Sequence, residues 1–528
     1  MKPEFETEIP NIEIPDQFNA ATAFVDANVA KGRGNKVAIY YQDQQLTYND
    51  VLRLVNKTGN ALKSLGIDVE NRVLLLLFDC PEFVASFFGA MKIGAVPIPT
   101  NTLLKAQDYE YLLNDSRAKA IIVSEPLVEK IESARDRLKY LEHIIVVGKA
   151  KPGQISFAEL IEKASSELQA ADTSKDDAAF WLYSSGTTGF PKGAVHLHHD
   201  MIYASEYYAK GVLNITEEDI TFSVAKLFFA YGLGNGLYFP FSVGGSTVLN
   251  PARPEPLMIF ETIHNCRPSL FFCVPTAYAS MLQVENAENK YDLSSVRVCV
   301  SAGEALPAAV YNRWQDKFGL EILDGIGSTE ILHIFLSNRQ GKVKPGSSGQ
   351  LVPGYEAKIV DDDGQEVPTG EVGNLLIKGD STAAYYWNKH DRTKSTIIGE
   401  WIATGDKYHC DEDGYYWYAG RSDDMIKAGG IWVSPVEVEN TLIEHQAVLE
   451  CGVIGATDKD ELVKPKAFVV LRAGVQASPE LAHELQDFVK SRIAHYKYPR
   501  WIEFVPELPK TATGKIQRFK LRNLHAQQ

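Results

Sequence analysis

The chain has 528 residues, 45% of them hydrophobic and 23% charged, and carries a formal net charge of −15. That length exceeds what one core organises, so a large domain with a smaller companion is expected. The acidic balance, with no basic tract, excludes nucleic acid as an expected partner and requires any phosphate site to be built locally. Six cysteines without a C-x-x-C pair indicate reduced thiols in a cytosolic protein. Residues 1–19 lack a signal-peptide core, and the most apolar run, 73–78, is far too short to span a bilayer.

Residues 46–66 predict a helix, with Thr47 as N-cap, Asp50 three residues on and Gly66 as its stop. Buried strands are predicted at 73–78, 95–98 and 118–123, alternating with helices at 81–92 and 105–114. The alternation predicts an α/β class, with helix-covered mixed and parallel sheets in a large N-terminal domain. The polar stretch 164–178 reads as a connection, and an apolar strand end at 179–183 follows it.

That strand runs into SSGTTGFPKG, residues 184–193. Ser184, Ser185, Thr187 and Thr188 supply hydroxyls, Gly186 and Gly189 free the backbone, and Lys192 brings a cation. Such a loop converges N–H and O–H donors on an anion, with lysine as a point charge for phosphate. Its spacing is not that of a P-loop, because Phe190 and Pro191 separate Gly189 from Lys192. A plain surface loop is the alternative; the buried strand before it and the proline-fixed lysine behind it argue against that.

Residues 200–213 predict a helix carrying Tyr203, Tyr207 and Tyr208. In LFFAYGLGNGLY, residues 227–238, large rings stand beside bare backbone, too rich in glycine for a core strand. Phe229, Ala230 and Tyr231 are therefore candidates for a pocket wall, with a packed core corner as the alternative. The strand at 296–300 turns at Gly303, Glu304 and Ala305. A second turn, EILDGIGSTE at 321–330, carries Asp324, Gly325, Ile326, Gly327, Thr329 and Glu330. Two such turns after strands suit a nucleotide crevice at strand C-termini.

From 345 to 420 the pattern changes to short alternating strands (356–360, 373–377, 414–418), which predict an antiparallel, barrel-like subdomain containing Asp406. The stretch GRSDDMIKAGG, residues 420–430, reads as a boundary between an N-terminal domain, 1–422, and a small α+β domain, 423–528. In the latter, helices are expected at 436–444 and 479–494 and strands at 449–454, 466–470 and 502–505. It closes in TATGKI, residues 511–516, and a basic tail.

Activating a carboxylate with ATP needs a metal ligand, donors for the phosphates and a cation at the α-phosphate. Glu330 suits Mg²⁺ as a hard carboxylate beside phosphate; a glutamate complementing a helix start is the alternative. Asp406 suits two ribose hydroxyls, or is only a turn aspartate. Arg421 suits ribose or phosphate, or is a boundary salt-bridge donor. Lys515, after Gly514, is projected by a tight turn, although a surface lysine would look the same.

The run YSSGTTGFPKG at 183–193 resembles the phosphate loop of the adenylate-forming enzymes: acyl-CoA synthetases, peptide-synthetase adenylation domains and luciferases. The resemblance covers about residues 30 to 522, with its motifs in order. It implies that Ser184 to Gly189 and Lys192 serve the ATP phosphates, and that Thr329 and Glu330 serve phosphate and magnesium. Gly303, Glu304 and Ala305 would flank adenine, together with the Asp324–Ile326 turn, and Asp406 and Arg421 would hold ribose. Lys515 would be the lysine of adenylation and Asp423 the hinge. Lys427, Gly429 and Gly430 would face the site for thioester formation with coenzyme A once the small mobile domain has rotated. Ile326 departs from the family, which often has an aromatic residue there.

Two strings, LFFAYGLGN at 227–235 and LDGIGSTEILHI at 323–334, resemble the benzoate-CoA ligase branch. That likeness implies a short neutral slot for a small aromatic carboxylate, lined by Phe229, Ala230, Tyr231, Ile326, Gly327, His333 and Ile334. Substituted benzoates remain open, since one small group changes selectivity by only about 1–3 kcal/mol. An enzyme loading a carrier protein, a light-emitting oxygenase and a non-catalytic nucleotide sensor are rival readings. No pattern sets the assembly state; a homodimer is compatible with it.

Overall fold

The computed structural model describes residues 11–184, 191–422, 424–428, 431–457, 463–510 and 516–526. Its sheets are stated for those residues. The expected helix at 46–66 forms as Tyr48–Ser64. Thr47 Oγ1 accepts from the Asp50 N–H at 3.2 Å, and the Asp50 carboxylate accepts from the Thr47 N–H at 2.9 Å. This reciprocal cap leaves Leu46 to the preceding strand, Gln44–Thr47. The helix lies on its neighbour Pro81–Lys92 with the two backbones almost touching. A Cβ on Gly89 would stand 2.9 Å from the Val55 carbonyl, so only glycine permits the crossing.

Five parallel strands make the first sheet, in the order Val96–Pro99, Arg72–Leu76, Ala120–Ser124, His143–Val147 and Ile155–Ser156. The second sheet has nine strands. Its parallel centre includes Ile220–Ser223, Leu270–Cys273, Val298–Ser301 and Ile322–Gly327. At its edge the chain reverses into Ile334–Ser337, antiparallel to Ile322–Gly327. The expected parallel architecture is therefore present, and parallel strands require the helical crossovers seen between them. Cys273 and Ser301, at the carboxyl ends of two adjacent strands, fall in one row with Asp324, within the third.

A third, three-stranded sheet is antiparallel: Ala178–Ser184, Lys192–Leu197 and the short Tyr385–Tyr386. The region 345–420 forms an antiparallel sheet of Glu356–Val360, Gly373–Lys378, Trp401–Cys410, Ile397–Ile398 and Tyr416–Arg421. No pairing between Glu356–Val360 and Tyr416–Arg421 closes it among the described residues. Arg421 ends that sheet, and Ile426 is the first residue of a separate buried cluster. The cluster joins helices Pro435–Ile443 and Pro479–Arg492 to the sheet of Val448–Thr457, Val463–Leu471 and Trp501–Phe504.

The stretch 227–238, expected as a pocket wall, is helical. Ala230–Leu233 and Phe239–Val243 flank a π-type turn at Gly234–Tyr238. Wide turns of that kind are common where a helix serves a site. All six cysteines are free thiols. No described helix is long and apolar enough to cross a membrane.

Candidate active site

Ser184 ends one strand and Lys192 begins the next, and the two are cross-strand partners. Both reach Glu330, on the short helical turn Thr329–Ile331. Ser184 Oγ donates to Glu330 Oε1 at 3.0 Å, and Lys192 Nζ lies 3.7 Å from the same oxygen. Tyr386, which sequence reasoning missed, completes the group. Its hydroxyl donates to Glu330 Oε1 at 2.6 Å and accepts from Lys192 Nζ at 2.8 Å. Burial alone would raise the Glu330 carboxyl, but the Lys192 ammonium and the Tyr386 hydroxyl outweigh it and hold it below the usual range. Burial in turn lowers Lys192, against the pull of Glu330.

The turn is fixed from behind as well. His196 faces the Thr329 carbonyl through Nε2 at 2.8 Å and Asp200 through Nδ1 at 2.7 Å, with both side chains fully buried. The Ala383 N–H donates to the Glu330 carbonyl at 2.7 Å, and Ser381 Oγ donates to that of Ile331 at 2.9 Å. Neither His196 nor Tyr386 carried a sequence signal, because each acts across more than fifty residues of chain. Thr329 is half-buried.

Gly303 takes a positive φ of 98° in an exposed turn, with Glu304 and Ala305 half-buried behind it. Asp324 lies beneath this turn instead of facing solvent. Its Oδ2 accepts from the Leu306 N–H at 3.3 Å beside the Ser301 hydroxyl, so it ties the first turn to the second. Burial pushes its carboxyl up to about 8. Gly325, Ile326 and Gly327 continue the strand and pair with Ser337, Leu336 and Ile334. The Ile326 side chain is half-buried against the main core.

Asp406 and Arg421 are cross-strand partners, with Arg421 Nη1 donating to Asp406 Oδ1 at 3.0 Å and to the Thr404 carbonyl at 3.1 Å. Gly405 between them has φ 74°, and a Cβ there would stand 2.8 Å from Arg421 Nη2. The pair thus presents a carboxylate and a guanidinium already oriented by each other.

Tyr231 donates to the carbonyls of Cys273 and Val300, at 3.2 and 3.3 Å, across the carboxyl ends of two strands. Its ring stands 5.6 Å from that of His333, which also meets Tyr208 at 5.4 Å and Phe239 at 4.4 Å. His333 Nε2 donates to Asn235 Oδ1 at 3.1 Å and to the Tyr231 carbonyl at 3.3 Å. Burial drops its pKa to about 3, so the imidazole is neutral. The result is an aromatic, uncharged corner under Gly327. Ile334 is buried behind it, Ala230 is half-buried, and Phe229 packs on Phe228 at 4.5 Å. Sequence reasoning also missed Asn235 and Tyr208 as the partners that orient His333.

Ser185, Gly186, Thr187, Thr188, Gly189, Asp423, Gly429, Gly430 and Lys515 lie outside the described residues. Lys427 falls in the strand Ile426–Ala428, its side chain outside them as well. Among the described residues on either side, Lys510 and Ile516 form an antiparallel bridge, and the Gln517 N–H donates to the Pro509 carbonyl at 2.8 Å.

Strands of an antiparallel sheet and a turn that follows the nine-stranded sheet bring hydroxyls, one lysine and one acid to one point, and an α+β unit follows in the chain; such a site suits a nucleotide-dependent activating enzyme. The chain belongs to the AMP-binding enzyme family: that family's model matches residues 26–387, and the model of its C-terminal domain matches 437–515. It is 51% identical to a benzoate–CoA ligase of Thauera aromatica, with 97% of each chain covered. It is 45% identical to a 4-hydroxybenzoate–CoA/benzoate–CoA ligase of Rhodopseudomonas palustris, covering 96% of this chain and 94% of that one. Among solved structures it superposes on the anthranilate CoA ligase AuaEII in complex with anthranoyl-AMP. There the TM-score is 0.94 and the identity 48%, with 97% of this chain and 98% of that chain covered. It also superposes on a benzoate CoA ligase from Burkholderia xenovorans LB400, with a TM-score of 0.89 and 48% identity over 96% of this chain and all of that one.

Proposed function

We propose that the protein is an ATP-dependent benzoate-CoA ligase, which converts benzoate, ATP and coenzyme A to benzoyl-CoA, AMP and pyrophosphate through a benzoyl-adenylate. The reading is carried by full-length likeness to a ligase of that name, and the neutral, ring-lined corner of Tyr231 and His333 agrees with it. A benzene ring buries well against such edges and faces. Substituted benzoates are a second reading, supported by the relative named for 4-hydroxybenzoate and the neighbour holding anthranoyl-AMP.

In the first half-reaction a carboxylate oxygen of benzoate attacks the α-phosphorus of ATP, the bond to the bridging oxygen breaks, and pyrophosphate leaves. Ser184 to Gly189 and Lys192 would hold the phosphates, Asp406 and Arg421 the ribose, and Gly303 to Ala305 with Gly325 and Ile326, over the buried Asp324, the adenine. Lys515 would meet the charge that develops on the α-phosphate. Mg²⁺ fits the donor set: one hard carboxylate, Glu330, stands against Ser184 and Lys192, and no cage of three or more acidic, His or Cys ligands exists among the described residues. When bound, the ion would neutralise phosphate charge. In the second half-reaction the coenzyme A thiolate attacks the acyl carbon and AMP leaves. The domain 423–528 would turn about Asp423, withdrawing Lys515 and bringing Lys427, Gly429 and Gly430 to the cleft.

ATP–pyrophosphate exchange that depends on benzoate, followed by AMP release that depends on coenzyme A, tests the proposal. A panel of aryl acids ranks the substituents. Exchange supported only by aliphatic acids, or absent with every acid, refutes it.

A further inference from the structure

Tyr386 lies 194 residues after Lys192 and 56 after Glu330, yet its hydroxyl is wedged between the two. The register explains how. Tyr386 is the strand partner of Ala194, and Ala194 lies two residues from Lys192, on the same face of its strand. Lys192 is in turn the partner of Ser184. Three adjacent strands therefore aim Ser184, Lys192 and Tyr386 at one point, the cross-strand and diagonal positions from which side chains meet. Glu330 stands at that point, on a different sheet.

The contacts are one-sided. Both hydrogen bonds from other side chains to this carboxylate, from Ser184 and Tyr386, fall on Oε1, and the Lys192 contact falls there too. A glutamate has three rotatable side-chain bonds, and fixing them costs conformational entropy when a ligand has to do it. Here two donors and a nearby ammonium do so in advance.

We infer that Tyr386 is a positioning residue for the metal–nucleotide complex: by donating to Glu330 Oε1 it fixes that carboxylate, and by accepting from Lys192 it holds the ammonium 3.7 Å from it. The inference rests on the proposed function, in which Glu330 is the metal ligand. An incoming cation–phosphate pair would exchange partners with a pair already present, the cation going to Glu330 and the phosphate drawing Lys192. Tyr386 keeps the acid from being neutralised by direct closure onto Lys192, since its hydroxyl takes the shorter contacts, 2.6 and 2.8 Å against 3.7 Å.

Tyr386→Phe removes only the hydroxyl and keeps the ring packed on Ala194 and Ala383. Binding of Mn²⁺ in the presence of a non-cleavable ATP analogue, followed by the electron paramagnetic resonance of the free ion, is expected to weaken about tenfold. The rate of thioester formation from supplied benzoyl-adenylate, which does not use that ion pair, is expected to stay within about twofold. Ser184→Ala is expected to give a smaller loss in the same direction. Unchanged Mn²⁺ affinity in Tyr386→Phe, or equal losses in ion binding and in thioester formation, overturns the inference. If the parent protein itself shows no benzoate-dependent pyrophosphate exchange, it is the proposed function that fails.

Discussion

Asp324 was expected to face the nucleotide; the structure buries it under the turn that would hold adenine. Its carboxyl is raised to about 8, so the folded protein keeps a proton that the unfolded chain gives up near pH 4. The stability gained is therefore full below about pH 4 and is lost as pH rises through about 8. Asp324→Asn, uncharged and of equal shape, should match the parent to within about 1 kcal/mol near pH 5. At pH 9 it should be the more stable by on the order of 1–3 kcal/mol. Urea unfolding at the two pH values decides this, and an unchanged difference between them contradicts it. Glu330 and Lys192 were legible at this scale because acid, lysine and hydroxyls sit in short motifs. Tyr386 and His196 were not, since a tyrosine or histidine in a strand looks the same whether it fills a core or grips a carboxylate.

At the scale of elements, the helix Tyr48–Ser64 and the helix Pro81–Lys92 cross where Gly59 and Gly89 leave their backbones bare. Alanine in a helix interior normally gains about 1 kcal/mol over glycine. Gly89→Ala should nevertheless lose about 1–3 kcal/mol, because its Cβ meets the rigid carbonyl of Val55. A fall in Tm checks this, and a rise would mean that the helices can part. The caps, glycine stops and apolar runs put most expected elements within two residues of their place, as for Pro81–Lys92. The stretch 227–238 left its element type open. Its glycines excluded a core strand, as read, but the element they build is a helix with a π-type turn, and Gly234 lets it press against His333.

For the whole molecule, the division into two half-reactions predicts unequal losses. Lys515→Ala should slow adenylation by on the order of 10²–10³, the cost of removing one donor from developing charge. Thioester formation from supplied benzoyl-adenylate should change only a few-fold, and equal losses in the two assays refute the division. The small domain is braced for such a role. Arg518 grips Glu439 with three hydrogen bonds, at 2.7, 2.8 and 3.3 Å, and Arg522 holds Asp424 at 2.9 Å, next to the proposed hinge. The sequence by itself determined the alternation of strands and helices, the two-part chain, the loop chemistry and the family. Those features depend on local periodicity and on residues close in the chain. Only the tertiary structure decided that Tyr386 stands between Lys192 and Glu330, that His196 backs Thr329, and that Asp324 is buried. Each depends on strand register and on pairing between distant segments, where a shift of one residue would turn every side chain to the other face.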